Sequence, residues 1–351
     1  MAPIDRIGTD SRAVPPLEAG TWWYAAVAAE APGSFNGRVR KRLRNAALAA
    51  VLLLSVVYAG LVLTATGQRW ENAATAGRLT DGTLSAEQIA GRVPHHFALY
   101  SLSLALLLIA VVGVLRRRYA PTVAALGSVI GSVALAEVLQ RFVLHRPDLA
   151  GAPGHLLHGG FPSGHTTLAL SVTFALALVV PYRLRVLVVT VGALWATFLG
   201  AYTLAIGWHR PGDLIGAELL SLVIVCGTVA LLARKGKARR APRGRAPLRH
   251  VVMTVPVVLG ALAGLGAGLL LLPRSVGAPL PVDPATARLA YESGQLLAAG
   301  TGLAAALLLL ALLRHVDLDE SAVPPRRAPA GPEPDAEITG PFPAEQDHEI
   351  S

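Results

Sequence analysis

Long apolar runs alternate with short polar segments along most of the chain. Eight runs can be read, at about residues 45–66, 96–115, 119–139, 165–182, 186–206, 213–233, 251–272 and 294–313. A helical run of roughly 20 apolar residues matches the hydrocarbon thickness of a bilayer. The pattern therefore predicts an all-α protein, a polytopic bundle of about eight transmembrane helices.

The polar segments divide this bundle into parts. We expect an N-terminal tail over 1–43, a six-helix core over 44–233, a basic loop over 234–250, two further transmembrane helices over 251–314 and a tail over 315–351. The last segment is acidic and Pro-rich, and its low apolar content predicts disorder. Glycines at every fourth position, in "GALAGLGAG" from Gly260 and "GSVIG" from Gly127, favour close helix packing within the chain.

Charge gives the orientation. Lys and Arg outnumber Asp and Glu by 31 to 22, and they cluster before the first run and after the second, fourth, sixth and eighth. All of these clusters lie on one side if every run crosses the membrane, so both termini are expected in the cytoplasm of a multi-pass cell-membrane protein. Because the cations are spread over separate segments, nucleic-acid binding is not expected. The single cysteine, Cys226, excludes a disulfide within the chain.

Three polar clusters then fall on the extracytoplasmic side: "QRFVLHRPDL" at 140–149, "FPSGHTT" at 161–167 and "IGWHRPGDLIG" at 206–216. In the second cluster, Ser163 and Gly164 open a helix whose free N–H groups attract anions. His165 follows in the first turn, where it can donate a proton to a leaving oxygen. The structural alternative is that Ser163 only caps the helix.

The other two clusters add a nucleophile and cations. His209 and Asp213 are four residues apart, so the carboxylate can hold one imidazole nitrogen and leave the other free to attack. Arg146 offers a planar fork to phosphate oxygens, with Arg141 close by. Taken alone, each feature also fits a purely structural role: a carboxylate can stabilise a helix end, and an arginine can extend to the lipid headgroups. Together they form a set suited to phosphoryl transfer through a phosphohistidine.

"RP" at 146–147, "PSGH" at 162–165 and "GWHRPGD" at 207–213 resemble the three signature motifs of the type 2 phosphatidic acid phosphatase superfamily. That superfamily includes integral-membrane lipid phosphatases and soluble haloperoxidases, and the resemblance covers about residues 44–233. It implies that His209 attacks phosphorus, that Asp213 orients His209, and that His165 protonates the leaving group. It also implies phosphoryl contacts from Arg146, Ser163 and Gly164.

The chain departs from this pattern at two positions. Where the family has a lysine before its "RP", this chain has Leu139, and where it has an arginine six residues before the nucleophile, this chain has Thr203. Each charge-assisted contact to phosphate contributes about 1.5–3 kcal/mol, so the losses are expected to affect rate and substrate. Arg141 and Arg210 are the cations placed to compensate.

For the other ionisable residues, the sequence gives weaker evidence of a functional role. Glu137 is expected to pair with Arg141 or Arg146, and Glu218 lies inside a membrane run, where charges are costly and often functional. His155 and His158 have a spacing that suits a metal, but no carboxylate or cysteine accompanies them. We therefore expect no metal and no cofactor, and a lid over the site in the loop that holds these two histidines.

The leading hypothesis is a metal-independent phosphatase or phosphotransferase that acts on a membrane lipid phosphate from the extracytoplasmic side. Polyprenyl (di)phosphates and lipids like phosphatidic acid or phosphatidylglycerophosphate are the expected substrates. One alternative is a catalytically weak or inactive phospholipid-binding or transport protein that keeps the same pocket, as Thr203 suggests. A channel or transporter is a further alternative, but it would need more polar residues inside the bundle.

Overall fold

The computed structural model describes residues 32–78, 97–151, 160–241, 248–276 and 282–318, which fold almost entirely into helices. In chain order these are α1 (Pro32–Val57), α2 (Ala65–Gly77), α3 (Phe97–Leu115), α4 (Tyr119–Val138), α5 (Gly164–Val179), α6 (Tyr182–Ala205), α7 (Pro211–Arg234), α8 (Leu248–Ser275) and α9 (Pro284–Leu312). Short π-helical segments, Tyr58–Val62 and Leu139–Val143, extend α1 and α4. Strands β1 (Arg239–Arg240) and β2 (Val316–Asp317) pair antiparallel.

The predicted all-α membrane bundle is confirmed. Among the described residues, six helices are long and apolar enough to cross a membrane, and two shorter apolar helices, Tyr100–Leu115 and Gly164–Val179, complete the eight runs. Large apolar side chains such as Leu52 and Leu270 point away from the bundle. An outward-facing apolar surface is what contact with lipid tails requires.

Three boundaries differ from those predicted. Helix α1 begins at Pro32, inside the expected tail, because the Lys and Arg residues of that segment are good helix formers. Helix α9 begins about ten residues early, because Asp283 caps it through the N–H groups of Ala285 and Thr286 and Pro284 fits its first position. The expected basic loop and tail are also partly ordered, since they contain β1 and β2; residues 319–351 lie outside the described part.

Helix α2 was not predicted from the apolar pattern. It begins after Thr64, whose hydroxyl accepts the Gly67 N–H at 3.0 Å. At Gly67 its backbone runs directly against Gly60 in the π-helical segment that follows α1, where a Cβ would collide. Polar residues make up much of α2, and three of them, Gln68, Glu71 and Thr75, are buried in a helix that packs mainly against α9.

Small residues set the packing of α8 on α9. A Cβ added at Gly264 would lie 3.0 Å from the Gly300 Cα, and one at Gly268 would lie 2.7 Å from Leu297. The predicted role of the "GALAGLGAG" glycines within the chain is therefore confirmed. The same prediction is wrong for Gly127 and Gly131, because no described residue comes within 4 Å of a Cβ there.

The two ends of the bundle differ in chemistry. At one end, Arg118 pairs with Asp317 at 3.1 Å and Arg185 donates to the Val316 carbonyl at 2.7 Å. This network lies where α3 and α9 end and α4 begins. Helices α4 and α6 end at the opposite end of the bundle, where α5 and α7 begin, and the candidate site lies there.

Candidate active site

The start of α5 and the start of α7 meet directly. The Ser163 N–H donates to the backbone carbonyl of Asp213 at 2.9 Å, which joins the second motif to the third. The first motif follows the π-helical extension of α4, and its Arg146 reaches Asp213 through Nη2 at 2.7 Å. The three segments that the sequence places at one depth are therefore in contact.

Ser163 caps α5. Its hydroxyl oxygen accepts the Thr166 N–H at 3.3 Å, and the side chain is completely buried. Gly164 is the first residue of the helix and His165 the second. The first N–H groups of an α-helix lack intrahelical acceptors, so this end of α5 can receive an anion.

Two imidazoles face each other at this end. The ring centroids of His165 and His209 are 5.8 Å apart, and the His165 ring also lies 5.4 Å from that of Trp208. His209 is 8% exposed, whereas His165 is half-buried. At this spacing the two rings are within ordinary contact range, so both imidazoles lie side by side at this end of α5.

Asp213 lies beside His209. Its Oδ2 accepts the Arg210 backbone N–H at 3.0 Å and lies 3.8 Å from His209 Nδ1. That separation is too long for a hydrogen bond, and His209 Nδ1 is buried with no partner among the described residues.

Arg146 lies between two carboxylates. Its Nη1 pairs with Glu71 and its Nη2 with Asp213, while its Nε is buried and has no partner in the described part of the chain. Burial opposes its charge, but Asp213 and Glu71 outweigh that effect and raise the pKa of Arg146 above its ordinary value. The guanidinium therefore stays charged between the two carboxylates, with its Nε–H still unpaired.

The two other predicted cations, Arg210 and Arg141, lie in different surroundings. Arg210 is buried at the start of α7, with Nη1 3.9 Å from Glu71 Oε2, and burial together with Arg146 lowers its pKa. Arg141 instead has a side chain 68% exposed and pairs with Glu137 at 2.7 Å, as one of the predicted pairings had it. Thr203 is buried and donates its hydroxyl to the Gly200 carbonyl at 2.9 Å. Arg210, but not Arg141, thus joins the cluster around Arg146.

Sequence reasoning missed Glu71. This residue of α2 is completely buried, and its Oε1 accepts the Gly212 N–H at 3.0 Å. Burial and the nearby Asp213 raise the pKa of Glu71, whereas Arg146 and Arg210 act in the opposite direction. The only signal in the sequence was an acidic residue close after the first apolar run.

Of the other ionisable residues singled out in the sequence, the structure describes Glu218 but not His155 or His158. Glu218 is buried further along α7, with Oε2 unpaired among the described residues, and a Cβ added at Gly302 would lie 2.8 Å from its Oε1. In the described segments, no three His, Cys, Asp or Glu residues are grouped as metal ligands would be. His155 and His158, with their predicted lid, lie outside those segments.

An apolar cavity of about 580 Å³ opens beside His165. It is lined by Ala105 of α3, Val172 of α5, and Val191 and Trp195 of α6, besides His165 itself. Leu176 also lines it and lies about 16 Å further along α5. The cavity therefore runs from the candidate site along α5, and the exposed Val191 and Trp195 leave it open at the apolar surface of the bundle.

A family model described as the PAP2 superfamily matches residues 96–237. This range contains all three motifs and the helices α3 to α7, and it leaves out α1, α2, α8 and α9. No curated protein and no solved structure matched the chain.

Proposed function

Since residues 96–237 match the model of the PAP2 superfamily, the type 2 phosphatidic acid phosphatases, we propose that this chain hydrolyses a membrane lipid phosphate through a phosphohistidine. The phosphatases of this superfamily act on phosphate esters, and the apolar helices make a lipid ester the fitting substrate. Polyprenyl (di)phosphates and phosphatidic-acid-like lipids are the proposed substrate classes.

The observation that carries this proposal is the pairing of two imidazoles with a buried cation. His165 and His209 lie 5.8 Å apart between ring centroids, and Arg146 is fixed beside them on Asp213. A phosphoryl group between the rings would have a nucleophile on one side and a proton donor on the other. A protein that only binds lipid has no need of both groups.

The reaction follows from these positions. Nε2 of neutral His209 attacks phosphorus, and the bond from phosphorus to the lipid oxygen breaks while His165 gives its proton to that oxygen. Asp213 stabilises the positive charge that develops at Nδ1 of His209. His165, now neutral, takes a proton from water as the water attacks phosphorus, and orthophosphate leaves with His209 restored. Arg146 and the N–H groups at the start of α5 stabilise the charge on the phosphoryl oxygens.

The apolar cavity supports a lipid rather than a soluble substrate. It begins at His165, the proposed proton donor, and its volume lies within the usual range for ligand sites. A hydrocarbon chain in this cavity would place its phosphate at the mouth of α5. We further propose that this mouth faces the extracytoplasmic side and that both termini are cytoplasmic, as the distribution of Lys and Arg predicts.

The second candidate is a phospholipid-binding or transport protein without turnover. It is favoured by Thr203, which replaces an arginine of the family's third motif and is bonded within its own helix. The two candidates differ in one observable property, the breaking of the bond from phosphorus to the lipid oxygen.

The test is phosphate release by the purified full-length protein from a panel of lipid phosphates, with EDTA present. We expect release from at least one lipid, unaffected by EDTA and abolished in His209→Ala, with Glu292→Gln as a control on an exposed residue. Equal, slow release by the wild type and His209→Ala would favour the binding protein. Right-side-out vesicles test sidedness, since a substrate added outside should be hydrolysed without detergent.

A further inference from the structure

Helix α2 carries two buried polar residues one turn apart, and both contact the first motif. The Gln68 side chain donates to the Pro147 carbonyl and accepts the Leu149 N–H at 3.0 Å. Glu71 follows three residues later, on the same face of the helix. One helix face thus holds both the backbone and the arginine of the segment around residue 147.

Glu71 joins two parts of the site. Its Oε2 pairs with Arg146 and lies 3.9 Å from Nη1 of Arg210, while its Oε1 accepts the N–H of Gly212 in the first turn of α7. A Cβ at Gly212 would collide with this carboxylate, so glycine is what lets it approach. Glu71 therefore touches the arginine of the first motif and the helix that carries Asp213.

The C-terminal hairpin formed by α8 and α9 holds α2 in place. The Trp70 indole N–H donates to Ser275 Oγ of α8 at 3.0 Å, and the ring packs against Gly294 of α9. Near the end of α2, Gly77 lies directly on the backbone of Ala287. All of these residues lie outside the range that the family model matches.

We propose that Glu71 is a positioning residue of the phosphoryl-transfer site, held in place by the α8–α9 hairpin. This assignment rests on the proposed function. By occupying Nη1 of Arg146, Glu71 limits Asp213 to a single bond with that arginine and leaves the Arg146 Nε–H for a phosphoryl oxygen. Without Glu71, Arg146 would form a bidentate pair with Asp213 and draw its carboxylate away from His209.

A second effect concerns anion binding. Glu71 adds a negative charge beside Arg146 and Arg210, so it weakens the attraction of the site for a free anion while it improves the geometry for reaction. Loss of its charge is therefore expected to lower turnover and to strengthen orthophosphate binding. A residue that only supports the fold would lower both together.

The experiment compares Glu71→Gln, which keeps the shape and the acceptor for the Gly212 N–H, with Glu71→Asp, which keeps the charge. Glu292→Gln, in an exposed pair with Arg288 on α9, is the matched control. In full-length protein, we expect kcat of Glu71→Gln to fall about 10- to 100-fold. We expect its orthophosphate affinity, measured by calorimetry, to rise about fivefold. Glu71→Asp should keep the wild-type affinity and most of the turnover, and the control should change neither.

Unchanged turnover in Glu71→Gln, or a joint loss of turnover and affinity, would overturn the assignment. If Glu71→Gln does not fold, Glu71→Asp decides, because wild-type orthophosphate affinity and most of the turnover support the assignment and a loss of either overturns it. If the wild type releases no phosphate from any lipid, the proposed function fails but calorimetry still tests Glu71. Tighter orthophosphate binding by Glu71→Gln would then support its place at the anion site, and equal or weaker binding would overturn it.

Discussion

At the scale of single residues, the site depends on which carboxylates pair with its buried arginine. Arg146 has two buried carboxylate partners, and one of them, Glu71, lies 75 residues earlier in the chain. The sequence predicts Arg146, His165, His209 and Asp213 as one cluster because their motifs share a membrane depth. It does not predict Glu71, because no motif or apolar pattern marks that position. Nor does it predict which way Arg141 and Glu137 turn, since that depends on the rotation of α4.

Thr203 is the residue whose replacement tests the missing cation. It lies one turn after Gly200 on α6, and a Cβ at Gly200 would be 4.0 Å from Thr166 Oγ1 in the first turn of α5. An arginine at 203 therefore starts near the proposed anion site. We expect Thr203→Arg to bind orthophosphate about tenfold more tightly and to turn over faster, since one charge-assisted contact contributes about 1.5–3 kcal/mol.

Inhibition of turnover by orthophosphate measures this affinity. Thr203→Gln is the matched control, because it adds length and hydrogen-bonding groups without charge. Equal behaviour of the two variants would show that an arginine at this position does not reach the anion.

At the scale of elements, the helices that face lipid were predictable and α2 was not. A window of apolar residues detects helices such as α7, whereas α2 has too many polar residues to be detected, although it buries Gln68 and Glu71 and packs on α9. The early start of α9 was missed for the same reason, because polar residues interrupt the apolar pattern there. Its first turns carry Arg288 and Glu292 on an exposed face, so they do not read as a membrane run, although Ala287 and Ala290 are buried.

The contact between α9 and the start of α7 can be tested at Gly294. A Cβ there would collide with the Pro211 ring, and Pro211 begins the helix that carries Asp213. We expect Gly294→Ala to destabilise the protein by about 1–3 kcal/mol through overpacking and to lower turnover. Thermal unfolding in detergent and phosphate release are the measurements.

The control for Gly294→Ala is Gly266→Ala on α8, where nothing lies within 4 Å of the added Cβ. Because alanine favours the helix over glycine, Gly266→Ala should be as stable as the wild type or more so. Wild-type stability and turnover in Gly294→Ala would show that α9 does not constrain the start of α7.

At the scale of the whole molecule, the position of the site follows from the alternating direction of the eight apolar helices. Helices α4 and α6 end where α5 and α7 begin, so three motifs that are distant in sequence meet at one end, and the sequence was sufficient to predict this meeting. The polar network of Arg118, Arg185 and Asp317 occupies the other end. The bracing of the site by α8 and α9 was not predictable, because it depends on side-chain contacts with a helix that the apolar pattern does not reveal.

The central claim is that His209 accepts the phosphoryl group. The most direct measurement is a rapid alkaline quench of the full-length protein during turnover of a lipid phosphate labelled in its phosphoryl group, followed by peptide mapping. The account predicts a base-stable, acid-labile label on His209 that forms before orthophosphate is released and is absent in His209→Ala. Release of labelled orthophosphate with no label on His209 at any time, or with the label on another residue, would contradict it.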